Sequence, residues 1–412
     1  MLKSELLEII TNGENSTVEF KRDDLRPEQL AKEVVAFANL QGGRVLFGVE
    51  DDGTITGIQR HNLETWVMDT VFGRYVHPMI LPLYEEIEID DGKRVAVVTV
   101  ATGVAKPYVV RHNNREDIYV RVGSVSRLAT REQQAALFES GGLLHAELLP
   151  VSGTSLAELD RARLEDYLRN IVGEDMFPQS DDEWRTRLSA LGFMTGREDG
   201  GVLCTIAGLL LFGRAPRRAL RYAGIRWMSF AGGDMDYQAQ DDELIDAPLV
   251  PLGTGNGGLR STVEPGLLDR LLSRMRPFIS MESNVAADSM RRERQYRYPV
   301  ESIREAVVNA LVHRDWTRPA EIETINYANR LEIKSPGALQ NSMTIEKMLA
   351  GQRSARNPIL VEVMRDYGYV DARGMGVRRK IVPLVREFSG EEARFEATDD
   401  FLRVTLPAHK GI

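Results

Sequence analysis

The sequence predicts a mixed α/β chain of the α+β kind, built from more than one domain. Three observations carry this. Residues 16–57 alternate between period-two and helical apolar patterns. Residues 298–316 place Val300, Ile303, Val307, Val308 and Leu311 on one helix face. A length of 412 residues, 43% hydrophobic and 27% charged, is ordinary for a globular protein and too long for a single core.

The elements follow in order. A strand is expected at 17–21, a helix at 28–39 and a strand at 44–49. The Asp52-Gly53 turn then leads into a short strand at 55–57. Strands at 87–89 and 95–100 flank Asp90-Asp91-Gly92, a hairpin signal. Another strand pair is expected between 108–111 and 118–122. A Gly- and Ser-bearing stretch at 141–155 reads as a linker. Helices at 159–172 and 181–191, followed by a hairpin around Glu198-Asp199-Gly200-Gly201, outline a winged helix. Residues 220–297 open with a strand at 224–229 and turn Gly- and Asp-rich, with no role legible. The expected domains are therefore 1–140, 156–220, a connector at 221–297, and 298–412.

Composition narrows the function classes. A net charge of -9 argues against broad electrostatic coating of nucleic acid, while leaving room for a local basic groove. The single cysteine, Cys204, allows neither an intrachain disulfide nor a cysteine zinc site. No signal-peptide core or membrane-length apolar run is visible, so a cytoplasmic protein without a membrane partner is expected. The six histidines show no metal-ligand spacing, and no Walker A signature is present.

The N-terminal acids carry chemistry of their own. Glu14 and Glu19 flank the entry to a strand, and Asp51 lies where the next strand leaves, with Asp52 as its rival. Adjacent strands lie about 5 Å apart, so the three carboxylates can meet. Such a cluster repels itself unless a divalent cation sits in it, and magnesium or manganese beside Lys21 would polarise a phosphodiester. The alternative is structural: Glu19 pairs with Lys21 or Arg22, Glu14 caps the strand entry, and Asp51-Asp52-Gly53 is turn chemistry. Lys21, Arg22, Arg44, Arg111, Arg121 and Arg127 are candidates to hold a phosphate backbone, and Tyr108 and Tyr119 to stack on bases.

The order Gly13-Glu-Asn-Ser-Thr-Val-Glu-Phe-Lys21, Gln29 to Asn39, Gly42-Gly43 to Gly53, Lys106-Pro107-Tyr108 and Tyr119 to Ser124 closely resembles the Schlafen core, or Alba-like, domain over roughly residues 10–130. The resemblance implies nucleic-acid binding. From Schlafen ribonucleases it also implies a cleavage site at Glu14, Glu19 and Asp51.

At the other end, Glu301, Glu305, Asn309 and His313 recur every four residues along one helix. An Asn between apolar residues suits a helix interior only if its amide has a partner, such as a metal bridging phosphates. This segment resembles the N-box of the GHKL ATPases, which implies a Bergerat-type sandwich over roughly 298–410. It also implies that Glu305 acts on water and that Asn309 holds magnesium. Ser335-Pro336-Gly337 stands where that family has Asp, one residue and Gly, so Ser335 departs from the adenine-holding Asp. Gly374-Met375-Gly376 opens a helix-like run and is placed to approach phosphates. Domains of both kinds recur together in bacterial transcriptional regulators and proteins related to the RecG helicase.

The favoured expectation is a nucleotide-responsive, regulatory protein that binds DNA or RNA, takes ATP with magnesium or manganese, and forms a homo-oligomer. A metal-dependent endonuclease and an oligomeric scaffold with vestigial sites are the alternatives. Catalysis, whether nuclease or weak ATPase, stays open at this stage.

Overall fold

The computed structural model describes residues 1–89, 92–103, 105–113, 115–142, 145–196, 201–255, 260–282, 294–340, 343–352, 354–370 and 375–409. It divides into two compact units, Met1–Leu144 and His145–Ile412. Both mix helices with sheets, as expected of an α+β chain.

In the first unit α1 (Lys3–Asn12) precedes β1 (Val18–Lys21), and α2 (Pro27–Asn39) crosses over to β2 (Gly43–Phe47), parallel to β1. Strands β3 (Leu83–Glu88) and β4 (Arg94–Val100) complete a sheet of order β1-β2-β4-β3. Its two faces follow the period of two. Val45, Phe47, Ala96 and Val98 pack under Leu30, Val34 and Phe37 of α2, whereas Leu46, Val95 and Val97 pack with Leu6 and Ile10 of α1. Each fully buried side chain of this size contributes roughly 1.5–3 kcal/mol. Gly43 lets the strand approach the helix, because a Cβ there would lie 2.3 Å from Phe37. The short strand expected at 55–57 is reduced to a bridge between Val49 and Ile55.

The strand pair expected between 108–111 and 118–122 is corrected. Val109–His112 pairs with Arg115–Asp117, and Tyr119–Val122 pairs with Val125–Leu128. Each strand folds back at its own turn, where Asn113 at φ 48° and Gly123 at φ 63° take the left-handed conformation such turns need.

The second unit is built on a six-stranded sheet. Ile225–Ser229 pairs antiparallel with Asp241–Ile245 on one side and parallel with Ile322–Asn326 on the other. Arg330–Pro336, Phe401–Pro407 and Arg394–Ala397 follow, all antiparallel. Residues 221–297, read from sequence as a connector, thus give this sheet two strands and add the amphipathic helix Leu267–Ile279. The helices at Arg161–Asp166 and Asp181–Ala190 and the hairpin Met194–Gly196 with Val202–Cys204 share the same core, through Leu164, Trp184, Leu188 and Phe193. Residues 197–200 of that expected hairpin lie outside the described residues. No helix among the described residues is long and apolar enough to cross a membrane.

Candidate functional site

In the second unit, α3 (Val300–His313) buries Ile303, Ala306, Val307, Val308 and Leu311 and carries its polar row along the other side. Against it lies a cavity of about 260 Å³. Glu305, Asn309, Ser335, Gly337 and Gly376 all line it, together with apolar Ile333, Met343, Met348, Phe395 and Val404. Gly374 lies outside the described residues.

The polar groups here are constrained. Asn309 donates from Nδ2 to Glu305 Oε1 at 3.2 Å, and its carboxamide oxygen receives no hydrogen bond among the described residues. That oxygen and the Glu305 carboxylate are the hard donors magnesium prefers, so the pair fits the implied cation. The Glu305 carboxylate lies so close to the chain at Gly376 that a Cβ there would fall 1.6 Å from its Oε1. Any side chain at that position would require the Glu305 carboxylate to move. Gly376 precedes a helical run that continues through Val377–Ile381 and Val382–Ser389, so the acid packs at the start of that run. Buried Ser335 donates its hydroxyl to Ala310 O at 2.9 Å, which commits its proton to the helix. Gly337, at φ 110°, could carry no side chain without meeting Asp315 and Arg356.

Sequence reasoning missed the residues that hold this wall. Arg356 donates to His313 O at 3.2 Å and to Ala338 O at 2.9 Å. Asn357 donates to Val312 O at 3.0 Å and to Arg314 O at 2.9 Å. Both groups satisfy carbonyls at the C-terminal end of α3, where a cation also suits the helix dipole. Fully buried Glu147 accepts from the backbone N–H groups of Ile359 and Leu360, at 2.8 and 2.9 Å, where the helix Pro358–Asp366 begins. Burial pushes its carboxyl up to about 7, against the pull of those two donors. The Asn357-Pro358 dipeptide, a helix-start signal, was the available clue.

The N-terminal acids present a different picture. Glu14 accepts from Phe20 N at 2.8 Å, and its carboxyl is held above its ordinary range by burial and by the charges of Glu19 and Asp51. Those three acids and Lys21 are therefore near neighbours. Glu19, however, is already neutralised by Lys21 on one oxygen and by Arg121 at 2.8 Å on the other. Arg121 also reaches Glu33 at 2.8 Å and Asn15 O at 2.7 Å, and it stacks 4.8 Å above Phe37. Among the described residues no group of three or more His, Cys, Asp or Glu side chains could hold a metal ion. A cation bound by Glu14, Glu19 and Asp51 would have to compete with Lys21 and Arg121 for Glu19.

Arg121 was expected on a nucleic-acid surface, and its place is corrected: its side chain is fully buried. Tyr108 is buried too, with its backbone held by Asn39, so it offers no ring for stacking. Asp52 closes its own turn by accepting from Thr54 N at 2.8 Å. Arg22, Arg44 and Arg111 do lie at the surface, beside Asp24 at 3.4 Å, Glu5 at 3.4 Å and Glu116 at 2.6 Å respectively. Lys21, Arg22, Lys32, Glu50 and Asp51 line an open cleft of about 370 Å³.

Residues 14–130 match the family model described as Schlafen, AlbA_2. The first unit carries a Schlafen, AlbA_2 domain. Residues 320–406 match the model described as putative ATP-dependent DNA helicase recG C-terminal. That second match begins after the helix bearing Glu305 and Asn309. The Schlafen, AlbA_2 match spans both the acid cluster and the buried Arg121. Among solved structures, the DIP2311 protein from Corynebacterium diphtheriae is 22% identical, with a TM-score of 0.42, covering 96% of this chain and 75% of that one. The N-terminal domain of a putative ATP-dependent DNA helicase RecG-related protein from Nitrosomonas europaea is 23% identical, with a TM-score of 0.24, covering 31% of this chain and 92% of that one. No curated protein matches the chain.

Proposed function

We propose that this protein binds nucleic acid through its Schlafen, AlbA_2 domain and an adenine nucleotide with magnesium through its second unit, the nucleotide regulating the nucleic-acid contact. One observation supports the nucleotide reading above the rest: five residues from three separate segments, Glu305, Asn309, Ser335, Gly337 and Gly376, line one cavity. Asn309 would hold magnesium through its carboxamide oxygen, and Glu305 would orient a water toward the terminal phosphate. The apolar wall of Ile333, Met343, Met348 and Phe395 suits the flat face of a base. ATP and magnesium, a nucleic acid and a homo-oligomeric assembly are the partners this reading implies.

Titration calorimetry with ATP and magnesium tests it. Saturable binding that raises the melting temperature and weakens in Asn309→Ala is the expected result. No heat at millimolar ATP would remove the nucleotide from the proposal.

The endonuclease reading keeps one supporting observation, the closeness of Glu14, Glu19, Lys21 and Asp51 in the sequence order of Schlafen ribonucleases. Arg121 and Lys21 already neutralise Glu19, which favours the binding reading. Labelled RNA and single-stranded DNA incubated with manganese, with and without EDTA, separate the two. Cleavage that needs the metal and disappears in Glu19→Gln would reverse the preference.

A further inference from the structure

The arginines of the second unit are unevenly committed. Three in the helical stretch 161–187 are paired: Arg161 with Asp181 at 2.6 Å, Arg185 with Asp182 at 2.7 Å, and Arg187 with Glu174. The next stretch, Arg214-Ala-Pro-Arg-Arg-Ala-Leu-Arg-Tyr222, has four arginines and no acid in nine residues, within a chain of net charge -9. Arg217 is tied to Glu321 at 2.9 Å and Ala223 O at 2.8 Å, and Arg214 reaches Leu159 O at 3.3 Å. Arg218 and Arg221 are exposed, and neither side chain has a hydrogen bond or ion pair among the described residues. Tyr222 beside them is 41% exposed. Arg270 adds a cation from another helix, since Asp246 lies within electrostatic reach of both it and Arg217.

We infer that this surface, centred on Arg218, Arg221 and Tyr222, is a second nucleic-acid contact, separate from the Schlafen, AlbA_2 domain. Unpaired guanidinium groups present planar donor forks that match phosphate oxygens, and forming the contact breaks no internal ion pair. An exposed tyrosine next to them supplies a face on which an unpaired base stacks. The partner chemistry is thus a phosphodiester backbone with accessible bases, that is, a single-stranded segment.

Fluorescence anisotropy of the full chain with a labelled single-stranded 30-mer, over a range of salt, tests the inference. The double variant R218E/R221E should bind about ten-fold more weakly, and the slope of log affinity against log salt should fall by about 1.4, two contacts at about 0.7 each on a single strand. Tyr222→Ala should weaken single-stranded binding more than duplex binding. Arg22→Ala, in the other unit, serves as the comparison and should act additively with the double variant. Should the charge reversals lower the melting temperature, Arg218→Gln with Arg221→Gln gives the same reading without added acids. Unchanged affinity and slope in a folded double variant would overturn the inference. So would loss of binding to phosphatidylserine vesicles with nucleic-acid binding intact.

Discussion

The acid cluster of the first unit and the cavity of the second both place carboxylates beside groups of ordinary catalytic type, yet their surroundings differ. The charge of Glu19 is answered within the chain: Lys21 and Arg121 meet it, and Arg121 extends to Glu33. Around Glu305, Asn309 donates to the carboxylate at 3.2 Å, and the pair lines a cavity of about 260 Å³. Acids met by internal cations add to the cohesion of the fold, whereas polar groups that line a cavity leave room beside them. Residue type and spacing look alike in the two places. What separates them is that the cations meeting Glu19 leave its carboxylate committed, whereas Glu305 and Asn309 line a cavity.

The largest expected effect breaks the first half of that comparison. Arg121→Ala leaves Glu19 and Glu33 buried with their guanidinium gone, and removing one partner of a buried pair costs about 3–5 kcal/mol. Denaturant unfolding of the first unit should show a loss of this size. A surface nucleic-acid contact at Arg121 would instead leave stability unchanged and lower affinity alone.

The second half is broken at Gly376. A Cβ there meets the Glu305 carboxylate, so Gly376→Ala must push the acid or the following helix aside. Calorimetry should show ATP affinity reduced by about ten-fold or more, equivalent to about 1.4 kcal/mol. A variant that binds ATP as the parent does would show that the Glu305 contact is irrelevant to the ligand.

Much of this organisation was legible in the sequence, and the limits have physical causes. The helix at 300–313 and the β1-α2-β2 crossover came from period alone, because one buried face of a helix or strand is a local property. The pairing expected between 108–111 and 118–122 was misread, because tight turns at Asn113 and Gly123 let each strand satisfy its own neighbour first. The partnership of Arg121 with Glu19 spans 102 residues, and no periodicity reports such a contact. The parallel register of Ile225 with Ile322 is hidden for the same reason, which is why 221–297 looked like a connector. Arg356 and Asn357 act on carbonyls more than forty residues away, so their chemistry appears only once α3 ends beside them.

Glu147 sharpens the comparison through pH, since it is a buried acid with no ion pair among the described residues. Its carboxyl is raised to about 7 from an unfolded value near 4.5, so between these limits the folded protein holds a proton that the unfolded chain has lost. Stability from this group is therefore present at low pH and declines as pH rises toward 7, by at most about 1.4 kcal/mol per pH unit. In Glu147→Gln that decline should vanish. Melting curves at pH 5 and pH 8 would show the variant gaining on the parent at the higher pH. Parallel curves would mean that Glu147 is ionised throughout, stabilised by the helix N–H groups alone.

The smallest effect concerns Arg22, which separates structural from available charge within the first unit itself. Its guanidinium is exposed and touches acids only loosely, with Asp24 at 3.4 Å and Glu50 at 4.0 Å. Exposed pairs of this kind contribute about 0–1 kcal/mol, so Arg22→Ala should leave the melting temperature nearly unchanged. The same side chain lines the open cleft with Lys21 and Lys32, where a phosphate would release a counterion on binding. Affinity for nucleic acid should then fall a few-fold at low salt, with the slope against salt lower by about 1. The loss should be similar for every sequence, because a phosphate contact carries no base information. Set beside Arg121→Ala, the pair of variants separates two arginines of one domain by what each moves: stability without a salt signature for the buried one, a salt signature without stability for the exposed one. If Arg22→Ala changes neither quantity, the cleft is not where the backbone lies, and Arg44, Arg111 and Arg127 become the surface to test.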